Sequence, residues 1–227
     1  QSRGYPRAAL LSSPAAALFL IGGWTLAQSV QRPDFDPLRE SISALAAIAT
    51  PNRWVMTTAL VLTGLMHVVT AGCLPGMRWQ GRAVLAGAGV ATVGVAALPL
   101  PARGEGSSLH TVVAALAFVL LAVWPWFGTH DRADGLLRPQ VARPASIVLL
   151  VTVASLAVTL VLPAGVFGLH ERLVAGALVL WPAATAAVAW WRAGWPVGAP
   201  HSKHVLSTVA FTAIALLGGI TATNLAP

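Results

Sequence analysis

The chain is short of charge. Only 9% of its 227 residues are Asp, Glu, Lys or Arg, against roughly 25% in an ordinary soluble domain. With 56% hydrophobic residues and a mean hydropathy of +0.75, that shortage excludes a soluble fold and implies an integral membrane protein. Cysteine is almost missing too. Cys73 stands alone, which excludes an intramolecular disulfide and a cysteine-only zinc site. Lysine occurs once, at Lys203, beside thirteen arginines; with the abundant alanine, this ratio matches GC-rich bacterial coding. No stretch reads as a soluble appendage, so residues 1–227 are expected to form one transmembrane helical domain. The net charge of +7 is scattered between apolar runs rather than gathered on one face, which argues against nucleic acid as a partner.

What the chain has in quantity is apolar sequence of helix-spanning length. A hydrocarbon core of about 30 Å needs about 20 residues rising 1.5 Å each. Seven runs qualify: Ala8–Val30, Trp54–Leu74, Ala83–Leu100, Leu109–Phe127, Ala145–Leu162, Leu173–Trp191 and His204–Asn224. The third and fifth are short and the seventh is rich in threonine. The expectation is an all-α, polytopic transmembrane helical bundle of seven spans, with six as the alternative. Gln1 to Arg7 is basic, but the run that follows is long enough to remain as a span rather than a cleaved leader.

Basic residues resist translocation, so their distribution orients the bundle. With the N-terminus in the cytoplasm, the inner segments hold Arg3, Arg7, Arg78, Arg82, Arg132, Arg138, Arg143, Arg192 and Lys203. The outer ones hold Arg32, Arg39, Arg53, Arg103 and Arg172, nine against five. A multi-pass protein of the bacterial inner membrane fits this count. The outer face also carries Asp34, Asp36, Glu40, Glu105 and Glu171, which makes it the chemically richer face. Trp54 is expected at the outer interface, Trp124, Trp126, Trp190 and Trp191 at the inner one, and Trp181 deep in its span. Prolines 14, 125 and 182 should bend or unwind their helices. Gly87, Gly89 and Gly94 give the third run a small-residue surface suited to close packing at the centre of the bundle.

The most polar interruption, DFDPLRESISALAAIATPNRW from Asp34 to Trp54, separates the first two runs. Asp36 before Pro37 reads as an N-cap followed by a first helical position. Leu38, Ile42, Leu45 and Ile48 recur at helical spacing, and Pro51 ends the pattern. A short amphipathic helix at the outer interface is therefore expected.

His110 and His170 each open a later run on that same side. LHTVVAALAFVL from Leu109 and LHERLVAGALVL from Leu169 form a weak repeat at an offset of 60 residues. Together, Asp34, Asp36, Arg39, Glu40, Ser43, His110, His170, Glu171 and Arg172 are the candidate ligand-binding set. An arginine with a helix N-terminus suits a phosphate headgroup, and the apolar span faces suit acyl chains. His110, His170 and Glu171 alternatively have the ligand types of a zinc site with an open water position. Ser41 and Ser43 lack a nucleophile elbow, and no other cofactor is expected. His67 lies about 13 residues into its run, roughly 20 Å from the outer end, and stands apart from the outer cluster as an intramembrane polar residue.

ESISALAAIATPNRW after a first span, SLHTVVAALAF, and GLHERLVAGALVLW together resemble the bacterial domain-of-unknown-function family 998, over roughly Ala8 to Trp191. GLHERL followed by a tryptophan is the most specific element. SISALAAIATP also resembles the polar turn of the fibroblast-growth-factor-receptor-activating-protein and DRAM-like membrane families, with alanine here in place of an acid after Ser43. The first resemblance implies no established activity, and the second implies lipid remodelling or distribution. Both draw attention to Ser43, His110, Glu171 and Arg172.

These readings converge on a non-enzymatic membrane protein that binds or handles a lipid or other amphiphile at an outer polar pocket. A zinc-dependent membrane hydrolase is the first alternative, and a small-molecule transporter or accessory subunit the second. Membrane lipids are the expected partners, with a membrane-protein partner or a homo-oligomer also open.

Overall fold

Hydrocarbon offers no hydrogen-bond partners, so an apolar run must satisfy its own backbone, and the helix does this within one segment. The computed structural model describes residues 7–161 and 165–193. Six long helices form among these residues. The first, α1, continues from Arg7–Ala17 through a π-turn, Leu18–Gly22, into Gly23–Ser29. It is followed by α2 (Trp54–Cys73), α3 (Trp79–Ala97), α4 (Ser108–Gly128), α5 (Pro139–Val161) and α6 (Phe167–Arg192).

All except α3 are long and apolar enough to cross a membrane. α3 is almost as long, but its glycines, Gln80 and Arg82 dilute its hydropathy. The seventh run, His204–Asn224, lies outside the described residues.

Consecutive helices pack as neighbours, and α6 returns to pack on α1, so the six close a ring in chain order. Small residues set the crossing of α2 and α3. Gly64 of α2 and Gly89 of α3 meet backbone to backbone: a Cβ on Gly89 would lie 2.5 Å from the Gly64 carbonyl oxygen. This close packing fits the small-residue surface of the third run, but α3 is not the central helix expected: it takes a place in the ring between α2 and α4. Arg82 reaches from α3 to the end of α2, donating to the carbonyls of Ala71, Gly72 and Leu74 at 2.7–2.8 Å. Those carbonyls have no partner in their own helix, and a cation suits the negative end of the helix dipole.

Local chemistry explains several departures from the expected boundaries. The π-turn follows Pro14 by one turn and widens α1 at Leu20. Pro125 sits inside α4, where the next amide, Trp126, donates to Ser146 Oγ of α5 at 3.0 Å. Trp124 was expected at an interface but is fully buried between helices, while Trp54, Trp126 and Trp191 are exposed on the outside of the ring. α6 begins at Phe167 instead of Leu173, because His170, Glu171 and Arg172 belong to its first turns.

The largest departure lies between α1 and α2. The expected interfacial helix is reduced to one hydrogen-bonded turn at Asp36–Glu40 and a 3-10 turn at Ser43–Ala46. Asp36 does cap its turn, accepting from the Leu38 amide at 2.9 Å, while Glu40 accepts from the Asp36 amide at 3.0 Å. The helix does not continue because the backbone after Glu40 bonds elsewhere. Ile42 and Leu45 are buried inside the ring and Ile48 is exposed, so the segment plugs the bundle instead of floating on it.

Candidate functional site

The plug is fastened by two adjacent residues of α6. Glu171 Oε2 accepts the Ile42 amide at 2.6 Å. Arg172 Nη1 donates to the carbonyls of Pro37 (2.9 Å), Glu40 (2.8 Å) and Gly168 (2.9 Å). Arg172 is completely buried, and its Nε and Nη2 have no hydrogen-bond partner among the described residues. The Leu169 amide adds a backbone bond to Leu38 O at 3.1 Å. On the far side, the amides of Ile48 and Ala49 bond to Leu100 O and Pro101 O in the α3–α4 loop at 2.8 and 3.0 Å. Gln31 Nε2 to Pro51 O and Asn52 Nδ2 to Val30 O staple the neck of the plug.

The remaining charges of the expected cluster lie on the rim. Arg103 pairs with Asp34 at 2.6 Å and with Glu40 at 3.3 Å, and its guanidinium stacks over Phe35 at 5.7 Å. Arg39 pairs with Asp36 at 3.4 Å. Arg103 was not among the expected site residues, yet it joins two of them. A lone arginine in the α3–α4 loop gave no pattern by which to find it.

The two histidines turn to different neighbours. His110 Nδ1 bonds to Leu98 O, at the end of α3, at 2.6 Å. His170 Nε2 bonds to Ser155 Oγ of α5 at 2.9 Å. With Glu171 committed to the plug, the three-ligand arrangement expected of His110, His170 and Glu171 does not form. No group of three His, Cys, Asp or Glu able to hold a metal ion occurs among the described residues.

Beneath the plug lies a cavity enclosed by α1, α2, α3, α4 and α6. Ser43 and Glu171 line its upper end and His67 lines it within the bundle; Leu20, Leu60, Phe118 and other apolar side chains supply most of the wall. The cavity has a volume of about 70 Å³ and opens in part to the surroundings. His67 thus shares a cavity with Ser43 and Glu171 of the expected cluster. It was expected to stand apart from that cluster, and the shared cavity joins it to two of the cluster's members. His67 is fully buried, and neither ring nitrogen has a partner among the described residues. Thr63 and Thr92 also line the space. Their spacing is indistinguishable from that of ordinary span residues, so nothing in the sequence marks them.

A second, more polar cavity of about 190 Å³ lies at the opposite end of the ring, beside His130, Arg132, Asp134 and Arg192.

The chain belongs to the family described as Protein of unknown function (DUF998), whose model matches residues 14–188. The match takes in the plug, the cavity walls and the paired Glu171 and Arg172. No curated protein and no solved structure matches the chain.

Proposed function

Taking that family and the plugged ring as premises, we propose that the chain binds an amphiphile, lodging part of its apolar body in the central cavity beneath the plug. One observation carries this reading: a mostly apolar cavity inside a membrane bundle has a few polar groups placed at its ends. Binding sites for small molecules have this composition, apolar walls with sparse polar groups that fix orientation. At about 70 Å³, the interior is too small for a whole lipid. It takes a segment of a lipid, and the rest of the molecule lies outside the ring. The likeness of SISALAAIATP to families linked to lipid distribution points the same way.

In this reading the plug faces the outside of a bacterial inner membrane and the α1 N-terminus faces the cytoplasm, as the distribution of arginine supports. Lipids are the partners, and the exposed apolar side chains of α5, such as Val148 and Val151, face them.

The test is photolabelling of the protein in phosphatidylcholine vesicles with a fatty acid that carries a mid-chain diazirine. Label is expected on the α4 peptide at Ala117 to Leu121, and filling the cavity by Ala117→Phe or, independently, Thr92→Phe should remove it. Label confined to bilayer-facing positions such as Val112, with no response to either substitution, would refute the reading.

A further inference from the structure

The polar groups along the cavity are not equivalent. Glu171 has Oε2 engaged by the Ile42 amide, and Ser43 sits beside it under the plug. Deeper in the bundle, the Thr63 hydroxyl donates to Ala59 O at 2.8 Å and the Thr92 hydroxyl to Ala88 O at 2.9 Å. Both threonines have thus spent their proton on their own helix and retain only acceptor capacity. His67 is the exception. Its side chain is completely buried, lines the cavity and has no partner for either nitrogen among the described residues. A buried polar group without a partner is costly, and more so in a low-dielectric interior.

A neutral imidazole offers one donor and one acceptor. A charged head does not match this. Among the described residues no arginine or lysine lines the cavity to neutralise a phosphate or carboxylate, and an unpaired charge at that depth carries a large desolvation cost. A hydroxyl does match: it accepts from a ring N–H or donates to a bare ring nitrogen, whichever tautomer faces it. Its small size suits the confined space, and the apolar walls suit the hydrocarbon attached to it.

We infer that the central cavity takes a neutral lipid with a single hydroxyl head, which enters head-inward and hydrogen-bonds to His67. This rests on the amphiphile-binding reading and adds to it the class of ligand and its direction. A phospholipid head would remain at the membrane surface; a long-chain alcohol carries no charge to hold it there.

Three single-chain photoreactive probes of equal length separate the possibilities: a primary alcohol, an n-alkane and a phosphocholine ester. The full-length protein in phosphatidylcholine vesicles is labelled with each, and adducts on Ala117 to Leu121 are quantified. The alcohol should exceed the alkane by about fivefold, the scale of one net hydrogen bond, and should exceed the phosphocholine by more. His67→Leu should abolish the advantage over the alkane while leaving alkane labelling in place. His67→Gln, which keeps a donor and an acceptor, should retain part of it and serves as the variant of record if His67→Leu does not fold. Equal labelling by alcohol and alkane, or dominance of the phosphocholine probe, overturns the hydroxyl assignment while the amphiphile reading stands. If none of these probes, nor the fatty acid, labels the cavity, both fall.

Discussion

Glu171 of α6 accepts the amide of Ile42 at 2.6 Å across 129 residues of chain, and this bond decides what the segment between α1 and α2 becomes. A helix continuing from Asp36 would direct the Ile42 amide to Leu38. Captured by a carboxylate, it is drawn into the ring, and Leu45 follows it to complete burial. Arg172, one residue on, holds the preceding turn by its carbonyls. One residue of each charge, side by side on a helix, thus grips the donors and acceptors of a segment that has abandoned regular structure.

Arg172→Ala should destabilise the protein by about 3–5 kcal/mol, the usual result of breaking one side of a buried charged network. Three carbonyls, of Pro37, Glu40 and Gly168, lose their donor. Arg172→Lys should recover only part of the loss, since an ammonium lacks the planar fork. Thermal unfolding of the purified variants in detergent measures both, and an Arg172→Ala midpoint equal to that of the parent would contradict the anchoring role.

Two glycines of α6 should behave oppositely. A Cβ at Gly168 would stand 2.6 Å from Pro37 O and closer still to Glu40 O, both backbone atoms that cannot rotate away. Gly168→Ala should therefore cost about 1–3 kcal/mol by overpacking. At Gly176 a Cβ meets nothing within 4 Å, so Gly176→Ala should be neutral or stabilise by up to about 1 kcal/mol through helix propensity. The same unfolding measurement checks the pair, and equal effects would show that the plug does not sit on Gly168.

The rim pairs should contribute far less than the anchor below them. Arg103 is about a quarter exposed and its partner Glu40 about a fifth, whereas Asp34 is well exposed at 64%. Arg103→Ala should cost about 1 kcal/mol or less, and the difference should shrink further in high salt, as screening of exposed pairs requires. A loss comparable to that of Arg172→Ala would place the structural centre of the plug on the rim instead.

The helices were legible because hydropathy and length are properties of a run, and five of the described spans follow directly from them. The start of α6 was not: a charged triplet at 170–172 looks like a boundary until the partner that buries it, 130 residues away in sequence, is known. Leu38, Ile42, Leu45 and Ile48 carried a genuine helical period, yet a tertiary bond to Glu171 outweighed it. That Ser43, Glu171 and His67 line one cavity was not legible, because position counted along α2 says nothing of where a neighbouring segment lies. His110 and His170 share a position in two similar sequences and still face different helices, since spacing along a chain does not set the direction of a ring.

The orientation can be tested by chemistry that ignores packing. Several arginines are held by structural tasks and are weak topological signals: Arg172 is buried under the plug, Arg103 is paired to two acids, and Arg82 caps α2. Setting these aside leaves Arg32, Arg39 and Arg53 at the plug end. Arg78, Arg132, Arg138, Arg143 and Arg192 remain at the other, with Arg3, Arg7 and Lys203 assigned there by sequence. The bias toward a cytoplasmic opposite end is therefore sharper than the raw count. In a Cys73→Ser background, Glu105→Cys and Asp131→Cys each place a thiol at an exposed loop position, one at each end of the ring. A membrane-impermeant maleimide should label Glu105→Cys in intact bacterial cells and Asp131→Cys only after lysis. The reverse pattern would invert the bundle and turn the plug to the cytoplasm.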